Sequence, residues 1–251
     1  MVVEPVPGAP AATADLDGER ALVVADYHAG IERTLRRDGV ELDDGADGRR
    51  QRLLGLLAET DPDRLVVLGD LVSSIGEPQG SERAELADLL ATLSIPTTVV
   101  KGNHDGDIRA ALDNLGVEGV SVTPSSGVRL GPVGFAHGHT WPDADVLGAE
   151  VVCVGHEHPL ARLTDTVGGG RRERVWLRGG LDPTPFEQHG TDLGDWIEGD
   201  LVVFPAFNNR SGGTQVNLAG EGFLSPFLPA ALDGGEAYLL DGTRLGSYER
   251  L

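Results

Sequence analysis

The sequence predicts an α/β domain over residues 20–251 whose second half is mainly strand. Three observations carry this reading. Short apolar runs alternate with amphipathic stretches through the first half, the pattern of βαβ units. Beyond residue 160 helical periodicity nearly vanishes, and apolar runs are separated by Gly and Pro. With 251 residues, 40% of them hydrophobic, the chain can bury a core without a staple; its one cysteine, Cys153, excludes an internal disulfide and reads as an inert core residue.

Residues 1–19, rich in Pro, Ala and acid, are expected to form a loose leader, although Val2 and Val3 could pair at a sheet edge. The run RALVVA at 20–25 reads as a buried strand ending at Asp26. A polar stretch follows at 30–48, carrying Asp43, Asp44 and Asp47. Leu53, Leu54, Leu56 and Leu57 give residues 49–59 a helical apolar face, and 64–68 is a second strand, ending in Gly69–Asp70. Ser81 is read as the N-cap of the next helix, with Glu85 in its first turns and Leu86, Leu89, Leu90 and Leu93 on one side. Further strands are expected at 97–100, 128–136, 150–154, 174–177, 201–204 and 237–240. The glycine runs at 168–170, 212–213 and 234–235 read as turns, and no repeat of fixed period is present.

The chemistry lies where the strands end. Asp26-Tyr27-His28 follows the first, Asp70 the second and Asn103-His104-Asp105 the third; His137-Gly138-His139 and Gly155-His156-Glu157-His158 follow later ones. Ligand sites of open α/β sheets gather beyond the carboxyl ends of strands, so these groups can converge. Six of the seven histidines fall in these segments, and only His189 does not. Carboxylate, imidazole and amide oxygen without thiolate suit Mn, Fe or Zn in a catalytic site, not a structural zinc. Seven candidate ligands are too many for one tetrahedral ion and suit a pair sharing a carboxylate. Glycine before Asp70, Asn103 and His156 allows tight turns and close backbone approach.

The ordered set D-x-H, G-D, G-N-H-D, H-G-H and G-H-x-H over residues 21–158 resembles the calcineurin-like metallophosphoesterases. That resemblance implies a four-layer αββα sandwich, two mixed sheets flanked by helices. It implies one metal on Asp26, His28, Asp70 and His158 and a second on Asp70, Asn103, His137 and His156, with Asp70 bridging. Manganese is the expected metal, iron or zinc the alternatives. His104 would protonate the leaving oxygen while a hydroxide held between the metals attacks phosphorus in line. The segments D-Y-H-A-G-I-E at 26–32 and F-P-A-F-N…G-G-T…N at 204–217 resemble a prokaryotic subgroup. That subgroup includes archaeal phosphoesterases and bacterial ones associated with a DNA ligase and helicase. The implied activity is a phosphodiesterase acting on nucleotides or nucleic acid ends, with repair proteins as partners.

Ser73 stands where some relatives carry an acid, amide or histidine that orients the catalytic histidine; Ser73 could accept a weaker hydrogen bond, and Asp105 is the alternative partner. His139 could replace His137 as ligand, contact phosphate, or be a loop histidine; His137 is preferred because it directly follows its strand. Glu157 reads as a solvated spacer and Trp141 as core, with a lid for a base as its other reading. Arg33, Arg36 and Arg37, like Arg171, Arg172 and Arg174, read first as charge balance on solvated faces. The alternative is that the 33–37 run grips a substrate phosphate. Two rival functions are a phosphoprotein phosphatase, disfavoured because no arginine sits near Asp70 in the sequence, and an idle scaffold, disfavoured because every ligand and His104 are present.

Forty acidic residues against twenty basic ones leave a net charge of -20, and Lys101 is the only lysine. Such a chain cannot hold nucleic acid through a broad attractive field, so polyanion contact must come from metal or a local arginine cluster. The balance suits a halophilic source, where salt screens the self-repulsion. The lone cysteine suits a reducing cytoplasm, and neither a signal peptide nor a membrane span is read in the sequence. The fold is therefore expected to weaken as salt falls. Melting curves from molar to millimolar salt check this, and full stability at millimolar salt would remove the halophile argument.

Overall fold

The computed structural model describes residues 1–40, 42–164, 169–194, 198–218, 220 and 222–251. One sheet contains β1 (Val3–Pro5), β2 (Ala11–Asp15), β3 (Arg20–Ala25), β4 (Arg64–Leu68), β5 (Thr97–Val100) and β6 (Val120–Thr123), side by side in that order. The first two are antiparallel to their neighbours, and β3 to β6 run parallel. The second sheet contains β7 (Val128–Leu130), β8 (Val133–Ala136), β9 (Val151–Val154), β10 (Leu160–Thr164), β11 (Gly170–Leu181), β12 (Asp200–Val203), β13 (Leu232–Leu239) and β14 (Arg244–Ser247). Its order is β14-β13-β11-β12-β9-β8-β7, with β10 paired to β11. Here β8, β9 and β12 are the parallel members.

The helices α1 (Ile31–Arg37), α2 (Ala46–Thr60), α3 (Ser81–Thr92) and α4 (Ile108–Leu115) precede the second sheet in the chain; α5 (Ala144–Leu147) and α6 (Thr184–His189) interrupt it. Three apolar layers result. Leu22, Val24, Leu65, Val67 and Val99 face Leu53, Leu86, Leu89 and Ile108 of the first helices. Ala21, Val23, Val66, Leu68 and Val100 face the other way, against Val133, Phe135, Val151, Cys153 and Phe204 of the second sheet. Val152, Val154, Leu177 and Val203 form the outer layer with Leu147, Phe186 and Phe227. Strands buried on both faces need unbroken apolar runs, which is why β3, β4 and β9 read so clearly. The αββα architecture is present as the resemblance implied, and Cys153 is core.

Several expectations need correction. Residues 1–19 are not a loose leader, because β1 and β2 extend the first sheet and bury Val3, Ala11, Ala12 and Ala14. Ala-rich strands carry little propensity signal, and pairing with β3 decides them. Gly80, not Ser81, occupies the N-cap, and no side chain caps that helix. The polar stretch 30–48 contains α1 and the start of α2. The strand expected at 128–136 is a hairpin, β7 and β8, turning at Gly131–Pro132. Gly234 and Gly235 lie inside β13, whereas the 168–170 run falls partly outside the described residues. Among the described residues no helix is long and apolar enough to cross a membrane.

A buried ion cluster ties the first three helices together. Arg49 of α2 donates to Glu32 of α1 at 3.0 and 3.1 Å and to Glu85 of α3 at 2.8 Å from both Nε and Nη2. Glu85 also accepts the Gly30 N–H at 2.7 Å, just beyond the first metal-binding motif. All three side chains are buried; removing the arginine leaves Glu32 with Arg210, whose Nη1 donates to it at 2.9 Å, and leaves the Glu85 carboxyl in the interior without its cation. Arg49→Met is expected to lose about 3–5 kcal/mol of stability, read by denaturant unfolding at high salt. An unchanged midpoint would show that the cluster does not hold the helices.

Candidate metal centre

The parallel strands β3, β4 and β5 end at one edge of the first sheet and deliver Asp26, Asp70 and Asn103; β8 and β9 end at the same side of the second and deliver His137 and His156. Two groups of three form there. Ligand atoms of Asp26, His28 and His158 lie within 4.8 Å of one another, and so do those of Asp70, His137 and His156. The groups adjoin: His28 Nε2 is 3.8 Å from Asp70 Oδ2, and Asn103 Oδ1 is 3.0 Å from His137 Nε2.

Each carboxylate is divided between two tasks. Asp26 Oδ2 accepts the His156 N–H at 3.1 Å, and Asp70 Oδ1 accepts the His104 N–H at 2.9 Å. The other oxygens, Asp26 Oδ1 and Asp70 Oδ2, face imidazoles. The histidines are set the same way. His137 and His158 place Nδ1 on the backbone carbonyls of Leu68 and Gly212, at 2.8 and 2.9 Å, and present Nε2 to the carboxylates. Fixing one ring nitrogen on a carbonyl selects the tautomer whose other nitrogen can ligate.

The backbone is strained here. Of seven non-glycine residues with positive φ among the described residues, five are Asp26, His28, Asp70, His156 and His158. Such strain persists where surrounding structure imposes it and gathers at functional sites. The three glycines before the motifs are there for room: a Cβ at Gly69 would strike the His137 ring, at Gly102 the Asp70 carboxylate, and at Gly155 the Asp26 oxygen that accepts the His156 N–H.

The residues fit bound cations. Asp26 Oδ1, His28 Nε2 and His158 Nε2 are buried and make no hydrogen bond, although Asp26 Oδ1 and His158 Nε2 stand 3.1 Å apart. Atoms that close, buried and out of line for a hydrogen bond suit two ligands converging on one ion. Asp26 and Asp70 are buried, and no arginine or lysine pairs with either among the described residues, so two anions need a positive charge from elsewhere. Burial would raise both carboxyls, yet the facing histidines, chiefly His158 at Asp26 and His137 at Asp70, hold them below the usual carboxylate range. Burial pushes His28 and His156 down to about 4, keeping them neutral and able to ligate.

The remaining candidates divide. His104 lines the cleft; its Nδ1–H donates to the Ser73 carbonyl at 2.6 Å, and Nε2 lies 3.9 Å from Asp70 Oδ2. The orienting group is therefore the main chain of residue 73, not its hydroxyl, which has no partner. Asp105 does not orient His104. Its buried carboxylate accepts the N–H of Gly102 at 2.9 Å and of Val72 at 3.2 Å, joining the loops after β4 and β5. Burial, then the Asp70 charge, raises Asp105 to about 6.

His139 packs its ring 5.2 Å from that of His137 and belongs to neither three-residue group. Arg33 and Arg36 reach the carbonyls of Gln79 and Leu42, and with Arg37 they lie outside the cleft lining. Trp141 stacks on His189 at 4.1 Å and packs on Phe186 and Phe227, as core.

Two residues escaped the sequence reading. Glu157 is not solvated: with zero exposure it accepts Thr214 Oγ1 at 2.9 Å and the N–H groups of Leu224 and Ser225 at 3.1 and 2.6 Å. It thereby clamps Thr214, Leu224 and Ser225 onto the G-H-x-H turn. Asn208 is buried and donates to the carbonyls of Tyr27 and His28 at 3.1 and 3.3 Å, holding the D-x-H loop. Its signal was the F-P-A-F-N segment, where Phe207 N–H donates to Ala25 O at 2.7 Å and links the two sheets. The loops they hold border an open cleft of about 540 Å³, lined by His28, Asp70, Asn103, His104, His156 and His158 on one side and by Gly212, Gly213, Thr214, Gly222 and Leu224 on the other.

Comparison with known proteins agrees with this geometry. The crystal structure of the nuclease MPE from Pseudomonas putida is similar in fold, with a TM-score of 0.58 and 21% identity over 97% of this chain and 100% of that one. Yfce, a phosphoesterase from E. coli, aligns with a TM-score of 0.42 and 16% identity over 90% of this chain and 96% of that one. No curated protein sequence matches the chain. The calcineurin-like phosphoesterase family model matches residues 19–160, more than half of the chain, across the strands and turns that carry the ligands. The chain therefore belongs to the calcineurin-like phosphoesterase family and is a metal-dependent phosphoesterase.

Proposed function

We propose that the protein is a dinuclear phosphodiesterase. One ion would be held by Asp26, His28, Asp70 and His158, the other by Asp70, Asn103, His137 and His156, with Asp70 shared. The observation that supports this is the pair of adjoining ligand groups, with Asp70 Oδ2 facing His28, His104 and His137. Two divalent cations, manganese being the expected pair, supply a polarised phosphoryl oxygen and an activated water.

The chain's own residues do the rest. Asn103 and Asp70 approach from one sheet and His156 from the other, so they would hold the ions, and through them a phosphate, from both sides of the sandwich. His104, with Nδ1–H on the Ser73 carbonyl, aims Nε2 into the cleft, and from there its imidazolium gives a proton to the leaving oxygen. The lining has no arginine or lysine among the described residues, which favours the single charge of a diester over the dianion of a monoester. A nucleotide or nucleic acid end is the substrate we favour, in keeping with the nuclease that shares the fold. Repair ligase or helicase partners, a halophilic source and a cytoplasmic setting complete the reading.

Two outcomes test it. Chelation is expected to abolish hydrolysis of a nitrophenyl diester and to lower the melting temperature, since ions bound only to the native state stabilise it; an unchanged melting curve after exhaustive chelation would contradict the site. Asp70→Asn is expected to lose metal and activity together, whereas His104→Ala keeps both metals and loses about 10²–10⁴-fold in rate. That loss should shrink for leaving groups such as nitrophenolate that depart without a proton. A metal missing from His104→Ala in elemental analysis, or an equal loss across leaving groups, would reassign His104.

A further inference from the structure

Leu224 is 60% exposed, yet its backbone is not loose. Its N–H donates to Glu157 Oε2 at 3.1 Å, the next N–H donates to Oε1 at 2.6 Å, and the accepting carboxylate has zero exposure. The same carboxylate takes the Thr214 hydroxyl at 2.9 Å, so both ends of the 214–224 span are tied to the turn carrying His156 and His158.

The surroundings define what the leucine can meet. Leu224 is the one aliphatic side chain in the cleft lining among the described residues, beside Gly212, Gly213, Thr214 and Gly222. Gly213 lies so close that a Cβ would strike the His158 carbonyl. A Cβ at Gly212 or Gly222 would meet nothing within 4 Å, so these glycines leave open space beside Leu224, in the same lining as His28, His156 and His158. No arginine or lysine shares that lining, and the chain carries a net charge of -20, so a long polyanionic strand finds no electrostatic grip there. Whatever selects a substrate beyond its scissile phosphate must do so without charge.

We propose that Leu224 is a specificity residue that packs against a planar ring, an aryl group or nucleobase, carried on the phosphoester. The proposal rests on the phosphoester reading of the site and adds the group next to phosphorus. The leucine in the free protein exposes apolar surface to water, and covering it with a ring face recovers that hydration free energy. Glu157 contributes by positioning, since it holds the Leu224 main chain beside the cleft before substrate arrives.

Direct binding of phenylphosphonate and methylphosphonate to the manganese-loaded protein, by calorimetry at high salt, tests this. The wild type is expected to bind phenylphosphonate about tenfold more tightly, the factor that some 1.4 kcal/mol of covered apolar surface supplies. In Leu224→Ser the preference should vanish with methylphosphonate affinity and melting temperature unchanged, and Leu224→Met should restore it. Saturation transfer from leucine methyls to the phenyl protons should appear only where Leu224 is present. A phenyl preference that survives in Leu224→Ser, or is absent from the wild type, would overturn the proposal while leaving the phosphoesterase reading intact. Failure of both phosphonates to bind the loaded wild type would overturn the two together.

Discussion

Two carboxylates, Asp26 and Asp70, lie buried at the meeting of two sheets, and no arginine or lysine neutralises them among the described residues. Buried anions in that state are tenable only if another positive charge occupies the space between them. Histidines alone surround them: His158 beside Asp26, and His28, His104 and His137 around Asp70. Imidazoles can lend part of that charge as imidazolium, or can turn their lone pairs on an ion. The buried unbonded atoms of Asp26, His28 and His158 point to the second use. The protein handles its ionic clusters in two ways. Away from the centre, Glu32 and Glu85 receive Arg49 directly and become part of the scaffold. At the centre, the counter-charge is left for a divalent ion.

Holding these anions in place sets the geometry of the strand ends. Parallel β3, β4 and β5 bring Asp26, Asp70 and Asn103 to one edge, and β8 and β9 bring His137 and His156 across from them. The turns after β3, β4, β8 and β9 leave their strands through residues of positive φ, and side chains of different motifs interlock: Asp26 on the His156 amide, Asp70 on the His104 amide, His137 on the Leu68 carbonyl. Asp105, Glu157 and Asn208 add a layer behind, each occupying a buried position and each bonded to backbone groups of other loops. Rigid ligands on strained turns are the preorganisation that metal-assisted displacement needs.

Much of this was legible in the sequence because the signals were local. Strands buried on two faces, such as RALVVA, show as unbroken apolar runs, and metal chemistry shows as residue types at strand ends. Asp26, His28, Asp70, Asn103, His137, His156 and His158 stood out as candidates on those grounds, the family resemblance sorted them into two ligand sets, and six of them form the two converging groups. What escaped was set by non-local partners. The strands at Val3–Pro5 and Ala11–Asp15 exist because β3 offers them an edge. Glu157, between two histidines in a polar motif, could not be distinguished from a solvated spacer without its partners Thr214, Leu224 and Ser225, which lie 57 to 68 residues further along the chain. Ser73 orients His104 through a carbonyl that any residue would supply, so its identity carried no message.

The claim that two ions share Asp70 is tested most directly by electron paramagnetic resonance of the chelated protein titrated with manganese at high salt. At saturation the account predicts two manganese ions per chain and the broadened signal of a magnetically coupled pair, which Asp70→Asn reduces to that of isolated ions. A wild-type protein that binds a single manganese, or two that never couple, would contradict it.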